Sequence, residues 1–292
     1  HNLVALVKDM NWVNKVSVPE MLFEIQGKIA LVTGGVQGIG HEAVESLLNS
    51  GVKGVTLVDV NTAKGKTVAD SLNARHGQGR VIFLPADVSD ETQFENAFKE
   101  SLNHWKGLDI VINNAGILNE DNWKMMVNTN TVGTIQGTFL GLKYMSKAKG
   151  GKGGVIVNVS SVAGIDDGCY FMPVYSATKS FVLTFGRYLA NPLYYEHNEV
   201  RIVTACPGWT STDLGRNLID RLSNAISPHA RDKAREILYK CPSQLASNVG
   251  DGIRKLIADG ANGSVWVIES DEPPYELDPP KKEALRKKYS GT

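Results

Sequence analysis

Only three residues of the 292 are cysteine, Cys169, Cys206 and Cys241, an odd number with no Cys-x-x-Cys spacing. That argues against a disulfide framework and a cysteine-held zinc, and it suits a reducing compartment such as the cytoplasm. The six histidines are scattered, with no His-Glu-x-x-His and no pair at ligand spacing, so no metal site is expected. An excess of charge is missing too. Lysine plus arginine and aspartate plus glutamate number 31 each, which leaves no bulk charge to hold nucleic acid or an anionic membrane. No apolar run approaches the roughly 18 residues of a membrane span. The opening HNLVALVKDMNWVNKVSVPE has an apolar run of only five residues, LVALV, too short for the core of a secretion signal. Residues 1–20 read as an extension or a vector-derived remnant, with Met21 a candidate start. The basic run KKEALRKKYS is interrupted by glutamate and reads as a solvated terminal helix within a tail over 271–292.

What the chain does have, at 42% hydrophobic content, is enough apolar mass for a large core, and it is arranged in strict alternation. KIALVTGG reads as a strand, GIGHEAVESLLNSG as a helix closed by Gly51, and GVTLVDV as the next strand. TAKGKTVADSLNARHG is helical, RVIFLPADV a strand, and DETQFENAFKESLNHWKG a helix capped by Ser89 or Asp90. LDIVINNAG, GGVIVNVSS, EVRIVTACPG and GSVWVIES supply further strands. NWKMMVNTNTVGTIQGTFLGLKYMSKAK and VYSATKSFVLTFGRYLANPLYYEH are long helices between them. Several strands are apolar on both faces, as a central parallel sheet covered by helices requires. The expectation is one α/β domain over 21–270, a Rossmann-type doubly wound parallel sheet of about seven strands with helices on both faces. Right-handed crossovers make 3-2-1-4-5-6 its strand order, with the seventh added. Residues 209–240 interrupt the alternation after strand six and form a candidate lid over a ligand.

TGGVQGIG, residues 33–40, closes the first strand and opens a helix. Gly34, Gly38 and Gly40 would let backbone N–H groups approach a pyrophosphate at a helix N-terminus, with Gln37 and Ile39 between them. Asp59 ends the second strand 19 residues after Gly40, where a carboxylate accepts from ribose hydroxyls and repels a 2′-phosphate. Gln37 and Val60 supply no cation to offset it, so NAD is favoured over NADP. Asp87 and Val88 end the third strand; Asn113, Asn114, Ala115 and Gly116 end the fourth, at the same sheet edge. As plain alternatives, Asp87 would cap the next helix and the asparagines make a turn.

These runs, with the serines closing strand five, YSATK at 175–179 and the Pro-Gly after strand six, resemble the short-chain dehydrogenase/reductase family in order and spacing over 28 to about 270. Within it, NWKMMVNTNTVGTIQGTFLGLKYMSK and ACPGWTSTDL look most like the NAD-dependent 15-hydroxyprostaglandin dehydrogenase branch, with insect-type alcohol dehydrogenases nearby. The resemblance implies that Tyr175 exchanges a proton with the substrate oxygen while hydride moves between substrate carbon and nicotinamide. It implies that Lys179 binds the nicotinamide ribose, and that positive charge from Lys179 and the oxidised nicotinamide lowers the tyrosine from about 10 to about 7, roughly 4 kcal/mol of differential stabilisation. Ser161 matches the serine that hydrogen-bonds the substrate oxygen, with Ser160 the alternative. Asn130 matches the helix asparagine that holds a water linking Lys179 to solvent, with Asn128 competing. Pro207 and Gly208 would lie under the nicotinamide, Thr210 beside them, and Thr212 on the carboxamide or phosphate.

The segment between Ser161 and Tyr175 borders the substrate, because both of its ends do. Its Tyr170, Phe171 and Met172, with Trp209, Leu214, Leu218 and Ile219 of the lid, imply an apolar pocket. Met172 stands where the prostaglandin branch carries a glutamine, so no amide is available there for a substrate hydroxyl. The expected activity is NAD-dependent oxidation of a lipophilic secondary alcohol to a ketone, prostaglandin-, terpenoid-, fatty- or steroid-like. NADPH-dependent carbonyl reduction and a nucleotide-binding relative without turnover remain as alternatives. The family also implies pairing through the two long helices into a homodimer or homotetramer.

Overall fold

The computed structural model describes residues 22–165, 169–216, 218–222, 228–270 and 272–278. The expectations for residues 1–20, for KKEALRKKYS, and for parts of the 162–174 connection and of the lid therefore lie outside the described residues.

Short apolar runs become strands because nothing else buries both of their faces. β1 (Ile29–Thr33) is buried at every position. Ala30 and Val32 face one core cluster and Leu31 the other, the period of two that a sheet covered on both sides requires. β2 (Gly54–Asp59), β3 (Val81–Pro85), β4 (Ile110–Asn113), β5 (Gly154–Val159), β6 (Val200–Pro207) and β7 (Val265–Ile268) complete the parallel part. Their order, β3-β2-β1-β4-β5-β6-β7, is the expected one. The sheet has one strand more than the alternation predicts. β8 (Tyr275–Leu277) pairs antiparallel with β7, within a segment read from sequence as tail. Three residues are too few for a pattern to show.

Helices α1 (Gly38–Asn49), α2 (Thr62–His76) and α3 (Glu91–Trp105) follow the first three strands. Asp90, not Ser89, caps α3, accepting from Gln93 N at 2.9 Å. The long helix after β4 runs as α4 (Trp123–Val127), one π turn (Asn128–Val132) and α5 (Gly133–Met145). The helix read over 174–197 is broken: α6 (Pro173–Leu189) ends, and α7 (Pro192–Asn198) restarts behind Asn191, whose side chain accepts from Leu193 N. Pro192 lacks the N–H to continue and fits the first turn of a new helix. The lid segment contains α8 (Asp213–Arg216) and α9 (Pro228–Lys240).

α10 (Ala246–Asp259), which the alternation did not reveal, packs along α1. Ser46 Oγ meets Asp251 Oδ1 at 2.6 Å, and a Cβ on Gly250 would stand 2.6 Å from the Glu42 backbone. The contact fixes α1 from behind. Burying Val44, Leu47, Val249 and Ile253 there contributes on the order of 2 kcal/mol per side chain.

Candidate active site

The carboxyl ends of β1, β2, β4, β5 and β6 open onto one cavity of about 660 Å³. At one end stands the glycine turn. Gly34 (φ +64°) and Gly38 (φ +55°) occupy left-handed backbone that a side chain disfavours. Gly40 is closed in: an added Cβ would lie 2.3 Å from Gly34 O and 2.5 Å from Asn114 Nδ2. Asn114 donates through Nδ2 to Thr33 O (3.0 Å) and Gly34 O (3.1 Å), pinning the turn to β4. Gln37 precedes α1 in extended conformation without a side-chain cap bond. The first N–H groups of that helix thus lack a side-chain acceptor, a place for an anion.

Asp59 lies at the rim, its Oδ1 accepting from Asn61 N at 3.0 Å, beside exposed Val60. Lys64 was not anticipated there. Its ammonium, from the first turn of α2, donates to Gln37 Oε1 at 2.7 Å. Asp87 does not cap α3; its Oδ1 accepts from Ser89 N (2.8 Å) and Ser89 Oγ (2.7 Å) in a local turn, and both it and Val88 line the cavity. Ala115 and Gly116 line it as well. Across from Gly38, Thr212 comes within 3.3 Å of where a Cβ would sit. The glycine cradle, uncapped helix start and rim carboxylate together fit a dinucleotide.

At the other end α6 delivers Tyr175 and Lys179 one turn apart. The Lys179 ammonium is buried, donates to Val159 O at 3.0 Å, and lies 5.6 Å from the Tyr175 ring centroid. Ser161 hydrogen-bonds the Tyr175 phenol, and its Oγ accepts from Ala163 N at 3.2 Å. Ser160 points elsewhere, donating to Lys179 O at 2.7 Å. Asn130 is fully buried in the π turn while Asn128 is exposed. The Asn130 amide accepts from Ile117 N and donates to Ile117 O, both at 2.9 Å, and donates to Thr178 Oγ1 at 3.1 Å. A Cβ on Gly116 would stand 3.3 Å from Asn130 Oδ1 and 3.4 Å from Lys179 Nζ, so both face the same small space. Gly40 and Asn130 brace the cavity from behind, and Asn113, Tyr170, Leu218 and Ile219 are not on its wall; the other expected site residues line it.

The electrostatics depart from expectation. Burial pushes the Tyr175 phenol up to about 12; the Ser161 bond acts against this and the neighbouring Cys169 adds to it. Burial also drives Lys179 down to about 8, opposed by the Cys206 thiol beside it. Desolvation disfavours the charged form of each and outweighs the opposing effects of Ser161 and Cys206. Protein surroundings alone therefore do not bring the tyrosine near 7.

The buried ammonium has a stability consequence. Its folded value of about 8 lies below its ordinary 10.5, so between these the unfolded chain binds a proton that the folded one does not. Stability accordingly rises from pH 8 to about pH 10, and below pH 8 the full cost is present, about 3 kcal/mol at roughly 1.4 per unit. Lys179→Met should raise Tm by a few degrees at pH 7, allowing for the lost bond to Val159, and the gain should shrink towards pH 10. Thermal melts at pH 7 and 9.5 check this. An equal change at both would count against the burial cost.

Phe171 and Met172 are buried at the cavity, with Trp209 and Leu214 also on its wall, in one apolar cluster with Leu118, Met126, Leu218 and Leu222. Tyr170 is the exception among the anticipated aromatics, half-exposed and edge-on to Phe171 at 5.8 Å. Pro207, Gly208 and Thr210 form the wall after β6, braced by buried Gln244, which donates to Ile268 O at 2.6 Å. Ile237, Leu238, Glu269 and Ser270 line the cavity too and were not foreseen. The apolar pair had a signal in the helical spacing of α9; the other two had none.

Residues 28–222 match the family model described as short chain dehydrogenase. The chain is 39% identical over 254 residues to 15-hydroxyprostaglandin dehydrogenase [NAD(+)] of Bos taurus, covering 85% of this chain and 93% of that protein. It is 35% identical over 249 residues to the Mus musculus protein of the same name, covering 85% and 92%. Alcohol dehydrogenase 1 of Ceratitis capitata is 30% identical over 243 residues, covering 83% and 92%. Among solved structures, a short chain dehydrogenase/reductase from Burkholderia phymatum in complex with NAD superposes with a TM-score of 0.69 at 22% identity, covering 85% of this chain and 90% of that one, a likeness of fold.

Proposed function

This chain belongs to the short-chain dehydrogenase family, and on that premise we propose that it is an NAD-dependent alcohol dehydrogenase that oxidises a lipophilic secondary alcohol to the ketone. One observation carries the reading. Tyr175, Ser161 and Lys179 converge at one end of a cavity whose other end offers an uncapped helix N-terminus and the Asp59 carboxylate.

When bound, the oxidised nicotinamide supplies the hydride acceptor and a positive charge near the phenol. Tyr175 takes the proton of the substrate hydroxyl. Ser161 hydrogen-bonds the same oxygen while charge develops on it. Lys179, with its ammonium buried beside the ring, favours the phenolate and would hold the nicotinamide ribose. Asn130 holds Ile117 and so keeps open the space next to Gly116 through which Lys179 exchanges its proton. Gly34, Gly38 and the first turn of α1 would hold the pyrophosphate. The apolar cluster around Phe171, Met172 and Leu214 supports a lipophilic substrate, and Met172 offers no amide to a second hydroxyl.

The test is a panel of secondary alcohols with NAD, followed by absorbance of the reduced nicotinamide, beside fluorescence titrations with NADH and NADPH. NADH formation with tighter NADH binding is expected. A second reading, carbonyl reduction with NADPH, has the Lys64 ammonium at the adenosine end in its favour; tighter NADPH binding, lost in Lys64→Ala, would establish it. No turnover on any alcohol would favour a non-catalytic relative.

We further propose a homodimer through α5 and α6 in a cytoplasmic setting. Phe139 is half-exposed and meets Phe185 edge-on at 6.0 Å, Phe181 stacks on Phe185 at 5.4 Å, and Tyr188 projects outward. Light scattering should give twice the chain mass, and a monomer for Phe139→Glu.

A further inference from the structure

Glu120 lies in the loop between β4 and α4. It is 3% exposed, yet among the described residues it makes no ion pair. A buried carboxylate persists only where hydrogen bonds replace its water. Here Oε1 accepts from Tyr175 N at 2.8 Å and Oε2 from Val174 N at 3.2 Å. These are N–H groups of the first turn of α6, whose own N-cap, Met172, offers no side-chain acceptor. A carboxylate from a distant loop thus caps the helix that carries Tyr175, at its positive end.

The same residue holds a second element. Glu120 N donates to Arg221 O at 2.9 Å, and Arg221 Nη1 donates to Leu214 O at 3.2 Å. Leu214 lines the cavity, while Leu218 and Leu222 are buried in the cluster that contains Phe171, Met172 and Tyr175. Arg231 of α9 reaches Leu222 O at 3.2 Å. On the other side the loop is short: Leu118 lines the cavity, and Ile117 is clamped at both polar atoms by Asn130. The loop therefore has little freedom to move without carrying Tyr175 or the 218–222 segment with it.

We propose that Glu120 is a positioning residue that fastens the start of the Tyr175 helix to the wall around Leu214 and residues 218–222, so that a substrate seated there keeps a fixed distance to the phenol. This deepens the reading of the reaction given above and rests on it. Each of the two N–H groups takes its own oxygen of Glu120. Glutamine has one, and its NH2 would face the other N–H. A displacement of about 1 Å at reacting atoms costs on the order of 100-fold in rate.

Glu120→Gln should lower kcat at least tenfold and raise KM for the alcohol, while the dissociation constant for NADH stays within twofold, since the dinucleotide contacts lie elsewhere. In Tyr175→Phe, the same substitution should add nothing to the loss. A Glu120→Gln enzyme with normal kcat and alcohol KM, only less heat-stable, would reduce Glu120 to a structural cap and overturn the proposal, as would equal losses in both backgrounds. Should that variant not fold, Glu120→Asp, which keeps both acceptors on a stem one methylene shorter, carries the same kinetic test: lowered kcat supports positioning, unchanged kcat refutes it. Tyr175→Phe measured alone separates the two readings. If it turns over normally, the assignment of the proton acceptor fails whatever Glu120 does.

Discussion

Tyr175→Phe is expected to lower kcat for alcohol oxidation by about a thousandfold, within the usual range for removal of a positioned acid–base group, and to leave NADH binding nearly unchanged. The substitution deletes one oxygen and keeps the ring. That ring is buried among Leu118, Phe171 and Met172, so its packing survives. Stability should change little, because the oxygen is desolvated and its hydrogen bond is to Ser161. Lys179 keeps its bond to Val159 O, and the glycine turn is untouched. A phenol that its surroundings push up to about 12 becomes an acceptor only with added positive charge. In the wild type, kcat/KM for oxidation should therefore rise with pH across the neutral range, and Tyr175→Phe should flatten that rise. Steady-state kinetics from pH 6 to 10, with fluorescence titration of NADH, reads both effects. A variant within tenfold of the wild-type rate would remove Tyr175 from the chemistry.

Gly40→Ala should abolish most dinucleotide binding through sterics alone. Its methyl group would sit 2.3 Å from Gly34 O and 2.5 Å from Asn114 Nδ2, distances at which backbone must move. α1 cannot retreat, since α10 presses on it at Glu42 and Ser46. The strain falls on the turn, which is also the proposed phosphate cradle. A loss of about 100-fold in NADH affinity, with overpacking of roughly 1–3 kcal/mol in stability, is the expected result by titration and thermal melting. Gly107→Ala is the control, since nothing lies within 4 Å of its added methyl and its φ is ordinary. Were Gly40→Ala to bind NADH normally, the glycine turn would not be the pyrophosphate site.

Much of the site was legible from residue order. Tyr175 and Lys179 share a helix, Gly34 to Gly40 share a turn, and Asp59 ends a strand whose place follows from right-handed crossovers. Local periodicity carries such information because spacing along one element is distance in space. Asn130 was preferred to Asn128 on the sequence, and the structure buries Asn130 in the π turn and leaves Asn128 exposed. Lys64 escaped because it reaches Gln37 across two elements. Glu120 escaped for the same reason: its partners are 54 and 55 residues away in sequence. β8 was missed because three residues carry no period, whereas α10 does carry a helical stripe, Val249, Ile253, Leu256 and Ile257, that the reading of strand-and-helix alternation passed over.

The direction of the tyrosine shift shows where the division falls. Sequence alone puts a cation one helical turn from a phenol, and from that pairing a lowered value follows. Only the folded chain reveals how little water either group retains, and desolvation reverses the sign for the protein's own surroundings. The amino-acid order by itself determined the sheet, the glycine turn and which side chains we propose to react, since each is written in patterns a few residues long. The tertiary structure decided what is buried, what caps the Tyr175 helix and which side chains wall the cavity beside it, because those depend on contacts between segments that no local pattern records.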